Sequence, residues 1–174
     1  MGVLRILIVE DDAQFAATLK YLIEENAFYC VVGTADDAES ALCAVDEHSP
    51  DVVLLDLHLA RGSTGFTVAV KLAELNTLCL IVSGKAPTFP MADLAIGCLT
   101  KPFTADELHR SLSLTENILR GRETLYPKVP PNLTVYEQGE YEDVEEPTYP
   151  AMRLSPKARL RNWMANWVEK KLLQ

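Results

Sequence analysis

Five short apolar runs, at residues 4–9, 28–33, 52–55, 78–82 and 97–100, recur through the first 120 positions, and helical patterns separate most of them. The runs are continuous rather than alternating, which is the texture of strands buried on both faces. Phe15, Leu19, Leu22 and Ile23 form one helical stripe, and Ala38, Ala41, Leu42 and Val45 form another. Phe66, Val70, Leu72 and Leu75 suggest a third, and Leu108, Leu112, Ile118 and Leu119 the last. Strands alternating with helices pair in parallel through right-handed crossovers. Five such strands predict a flavodoxin-like, doubly wound parallel sheet with its active crevice at the strand carboxyl ends. One crossover is short. Between the fourth and fifth strands lie only residues 83–96, with Pro87 and Pro90 inside, and proline breaks interior helical hydrogen bonding. A shortened or disordered fourth helix is expected there.

The texture changes after Gly121. Pro127, Pro130 and Pro131 precede an acidic stretch of low apolar content, so residues 123–154 read as a linker behind a domain of residues 1–122. Ser155 and Pro156 then signal a helix start, and Leu160, Trp163, Met164, Trp167, Val168 and Leu172 fall on one face of residues 155–174. This C-terminal helix is expected to dock on its own domain or to pair with a second copy. Charge follows the same division. Residues 1–124 carry 9 Lys/Arg against 18 Asp/Glu, and residues 151–174 carry six against one.

The net charge of -9 argues against whole-surface nucleic-acid binding, and the tail leaves no room for a supported helix-turn-helix. No apolar run approaches the roughly 20 residues that span a bilayer, and the N-terminus lacks a signal-peptide pattern. No membrane association and a cytoplasmic location are expected. Cys30, Cys43, Cys79 and Cys98 sit in apolar segments at no metal-ligand spacing and read as small buried thiols.

Four features fall at strand carboxyl ends: Glu10-Asp11-Asp12, Asp56, Ser83 and Lys101-Pro102. Carboxylates gathered from different strands repel one another unless a cation intervenes, and oxygen-only ligands favour magnesium. A lysine ammonium supplies a compact charge for phosphate oxygens, and a hydroxyl can hydrogen-bond the same group. An aspartate carboxylate is a competent phosphoryl acceptor once that charge is neutralised. Asp12, one position beyond the acidic pair, has the place of a helix cap.

The strings ILIVEDD, PDVVLLDLHL, LIVSG and LTKPF resemble, in order and over residues 4–120, the CheY-like receiver domains of two-component response regulators. The resemblance implies Asp56 as phosphoacceptor in a phosphorelay and Lys101 and Ser83 as contacts of the phosphoryl group. It implies magnesium held by Asp11 directly, by Glu10 through water, by Asp56 and by the backbone carbonyl of His58. A cis bond before Pro102 is a common feature of the family. The implied partner is a sensor histidine kinase or histidine phosphotransfer protein, with output through protein–protein interaction. The implied protein is a switch with autodephosphorylation at most, not an enzyme.

This sequence departs from the common pattern at Ala60, where proline is usual, in a loop 61–65 one residue longer, and at Cys98, where the switch aromatic usually stands. The segment around residues 65–85 is similar to the atypical receivers called FATGUY, although IVSGK stands where that group has Thr-Gly-Tyr. A different class of function is a phosphorylation-independent pseudo-receiver, a scaffold acting through its C-terminal helix. The intact acidic pair, Asp56 and Lys101 speak against it. A magnesium-dependent phosphatase would need a second aspartate two residues after Asp56, where His58 stands.

Overall fold

The computed structural model describes residues 2–62, 64–88, 91–122 and 129–136. Six strands, β1 (Leu4–Val9), β2 (Tyr29–Ala35), β3 (Val52–Leu55), β4 (Leu78–Ser83), β5 (Gly97–Thr100) and β6 (Leu133–Val135), form one sheet in the order β2-β1-β3-β4-β5-β6. The first five run parallel, and β6 joins the edge antiparallel to β5. Strand alternation splits the core in two. Ile6, Ile8, Leu54 and Leu80 face helices α1 (Ala13–Glu24) and α4 (Ala105–Arg120). Leu7, Val9, Val53, Leu55 and Ile81 face α2 (Ala38–His48) and α3 (Gly65–Glu74). The doubly wound, CheY-like architecture is thus present.

Local chemistry explains where the helices begin. Asp12 caps α1 by accepting from the amides of Gln14 and Phe15 at 2.9 and 3.0 Å. Asp37 with Ser40, and Thr104 with Glu107, form reciprocal capping boxes at α2 and α4. Gly121 ends α4 at φ 62°, a left-handed conformation that glycine adopts without strain.

Between β4 and β5 a single turn stands where a crossover helix would be normal: the amides of Leu94 and Ala95 both donate to the Met91 carbonyl at 2.9 Å. Met91, Ala95 and Ile96 are buried by it. The expected shortening of this crossover is therefore seen among the described residues.

Several sequence expectations need correction. Residues 129–136 do not trail as linker; after a turn at Pro130, Leu133 and Tyr136 enter the two cores. The prolines precede the strand, and an edge strand needs donors on one side only. Gly97 permits this pairing, because a side chain there would collide with the Thr134 carbonyl. In α3 the buried side chains are those of Val68, Ala69 and Leu72, while Phe66 and the capping residue Leu75 are exposed, so the inner face is rotated from the expected stripe. Phe28 precedes β2 and is exposed. Cys79 and Cys98 are buried thiols, but Cys30 and Cys43 are exposed, one on the outer edge strand and one on the outer side of α2. The C-terminal helix expected at 155–174, and most of the linker before it, lie outside the described residues.

Candidate phosphoacceptor site

Sheet hydrogen bonding continues one residue past the strands and places the functional groups side by side. The Glu10 amide donates to Ala35, the Asp56 amide to Val9 and the Lys101 amide to Ser83, each at 2.9 Å. Their side chains then converge. The Lys101 ammonium lies 2.7 Å from Glu10 Oε2 and 2.7 Å from Asp56 Oδ2. Asp56 Oδ1 accepts from the Ser83 hydroxyl at 3.1 Å and from the His58 amide at 3.0 Å. Every strand end singled out in the sequence contributes to this cluster. The Lys101–Pro102 bond is cis, as the resemblance implies.

Burial sets the electrostatics. Glu10, Asp56 and Ser83 are 5%, 7% and 0% exposed. Burial raises the Asp56 pKa, but the His58 amide, Lys101 and Ser83 outweigh it and hold the carboxyl below its ordinary value. Burial dominates at Glu10, whose carboxyl is raised despite its bond to Lys101. Burial lowers Lys101, yet Asp56 and Glu10 together keep its ammonium above the usual lysine value. The result is an ionised Asp56 carboxylate beside a fixed cation, with its opposite oxygen polarised by two donors.

Asp11 is exposed, and among the described residues no hydrogen bond or ion pair joins it to the cluster. The His58 imidazole is largely exposed, with Nδ1 3.7 Å from Asp56 Oδ1. No group of three or more His, Cys, Asp or Glu side chains is arranged to hold a metal among the described residues. The donors nevertheless suit a hard cation in kind: the two buried carboxylates of Glu10 and Asp56 already share the positive charge of Lys101, and the Asp11 carboxylate stands exposed at the adjoining position.

Three supporting residues were not evident from sequence alone. Phe15, read as part of a helical stripe, lies under the Lys101 ammonium. Gly65 lets the start of α3 approach the Asp56 backbone. Asn132 Nδ2 donates to the Pro102 carbonyl and to Glu107 Oε1, at 3.2 and 3.0 Å, tying β6 to the loop after Lys101. Only the glycine left a signal, in the turn before a helical pattern.

The response regulator receiver domain family matches residues 6–113. The chain belongs to this family, and with it to two-component signalling. It is 28% identical over 124 residues to the transcriptional regulatory protein PdtaR of Mycobacterium tuberculosis, covering 67% of this chain and 58% of that protein. It is 34% identical over 113 residues to the cell cycle transcriptional regulator CtrA of Caulobacter vibrioides, covering 60% and 47%. The chain thus spans about half the length of these relatives. Among solved structures, the receiver domain of a modulated diguanylate cyclase from Desulfovibrio desulfuricans G20 superposes with a TM-score of 0.61 at 29% identity, over 70% of this chain and 100% of that one. The receiver domain of NarL from Mycobacterium tuberculosis gives 0.61 at 26%, with the same coverage.

Proposed function

We propose that this chain is a phosphorylation-dependent receiver whose acceptor is Asp56. The observation that carries the reading is the Lys101 ammonium, 2.7 Å from both Glu10 and Asp56, with Ser83 on the other acceptor oxygen. A sensor histidine kinase or histidine phosphotransfer protein presents phosphohistidine. An Asp56 oxygen forms the new O–P bond as the donor's N–P bond breaks, and the departing imidazole keeps the electron pair. Lys101 neutralises charge on the transferring group, while Ser83 and the His58 amide orient the carboxylate. Magnesium, held by Glu10, Asp11, Asp56 and the His58 carbonyl, would supply further charge neutralisation.

The phosphoryl group adds about -1.5 to -2 charge, which draws on Ser83 at the head of the β4–β5 connection. With Cys98 in place of a switch aromatic, rearrangement of residues 84–96 carries the signal to a protein partner in the cytoplasm. The short β4–β5 connection also supports kinship with the FATGUY-like receivers. The C-terminal segment 155–174, expected from its sequence to dock on protein, lies outside the described residues. No described helix is long and apolar enough to cross a membrane.

The test is the rate of labelling by acetyl phosphate. It should require magnesium and fall about 100-fold or more in Lys101→Ala, by analogy with loss of one preorganised charge-stabilising donor. Labelling that ignores both chelation and this substitution would contradict the proposal.

A further inference from the structure

The Lys101 ammonium has a neighbour besides its two carboxylates. Its nitrogen stands 4.1 Å from the centroid of the Phe15 ring, well within the range of about 6 Å over which an aromatic face attracts a cation. Phe15 lies in the first turn of α1, where the Asp12 cap accepts from its amide at 3.0 Å. Its ring meets Phe103 edge to face, with centroids 6.1 Å apart and planes at 70°. Phe103 follows the Lys101-Pro102 pair directly. The ring is therefore held from α1, whose first turn follows Glu10, against Phe103 of the loop after β5 that carries Lys101.

An ammonium has three N–H donors on a flexible four-carbon stem. Glu10 and Asp56 each take one at 2.7 Å. The aromatic face adds an attraction that uses up neither carboxylate oxygen. A residue needed only to fill the α1 stripe could be aliphatic, as Leu19 and Ile23 are.

We infer that Phe15 is a positioning residue for phosphoryl transfer at Asp56: its ring face holds the Lys101 ammonium in place while that ammonium's hydrogen bonds pass from the carboxylates to the incoming phosphoryl oxygens. The inference rests on the phosphoacceptor reading above. It assigns α1 a part in the chemistry through a side chain that never touches the phosphoryl group.

The experiment compares the full-length wild type, Phe15→Leu and Phe15→Trp, using acetyl phosphate with magnesium and intact-mass detection. Thermal melting confirms that each is folded. Leucine keeps apolar bulk and loses the aromatic face, so the maximal labelling rate should fall about 3- to 30-fold. Tryptophan, which has the stronger face, should restore the rate to within about twofold. In the NMR spectrum of the wild type, the Lys101 ε-methylene protons should be shifted upfield by the ring current, and Phe15→Leu should abolish that shift. A wild-type rate in Phe15→Leu, equal losses in Leu and Trp variants, or an unshifted Lys101 signal would overturn the inference alone. A wild type that takes no label would overturn the phosphoacceptor reading and this inference with it.

Discussion

The α-carbon of Gly65 packs against the backbone carbonyl of Asp56 so closely that any side chain at position 65 would collide with it. The Gly65 amide also donates to the Leu57 carbonyl at 3.0 Å, closing the loop that leaves Asp56. Gly65→Ala must therefore push the start of α3 away from β3. We expect a loss of about 1–3 kcal/mol in urea unfolding, the usual scale of overpacking, together with slower labelling of Asp56. An unchanged unfolding midpoint would show that the loop yields without strain.

Tyr136 is buried just after β6, and among the described residues its hydroxyl has no partner better than the soft Cys98 thiol. A hydroxyl buried against so weak a partner is costly, whereas its ring contributes apolar burial. Tyr136→Phe should thus stabilise the fold by about 1 kcal/mol, and Tyr136→Ala should destabilise it by about 3–5 kcal/mol. Denaturant titration of the two variants checks the signs. A destabilising Tyr136→Phe would mean that the hydroxyl is well paired.

Burial and the neighbouring Glu116 push the Tyr29 hydroxyl up to about 12, and burial pushes the Cys79 thiol up to about 12. Each group is neutral when protonated, so a raised folded pKa favours the native state below the unfolded pKa. That contribution is lost as pH rises through the folded value. For Tyr29 the window runs from its ordinary value of 10.0 to about 12. A shift of two units corresponds to about 2–3 kcal/mol. Thermal melting should decline steeply over this window, and Tyr29→Phe should flatten the decline. The same alkaline limb in the variant would exclude Tyr29 as its source.

Much of this was legible in the sequence, for physical reasons. Continuous apolar runs of four to six residues between helical patterns read as strands covered on both sides, which yields β1, β3 and β5 at their observed bounds. Glu10, Asp56, Ser83 and Lys101 stood out because charged and polar groups ending buried strands must find partners, and they find one another. What escaped depended on tertiary context. A three-residue edge strand such as β6 has too little pattern to register, and two prolines before it mimic a linker. The inner face of α3 was misjudged because an apolar letter does not record which side of a helix is covered: Phe66 and Leu75 are exposed while Val68, Ala69 and Leu72 are buried. Phe15 looked like core because an aromatic on a helical stripe is the same letter whether it packs on leucine or beneath an ammonium.

The central claim is that Asp56 is the acceptor, because among the described residues it alone follows a strand with Lys101 on one carboxylate oxygen and Ser83 on the other. Intact-mass spectrometry after incubation with acetyl phosphate and magnesium tests it most directly. The wild type should gain the mass of one phosphoryl group, and Asp56→Asn should gain none. Full labelling of Asp56→Asn, or a wild type that stays at its unmodified mass, would contradict the account.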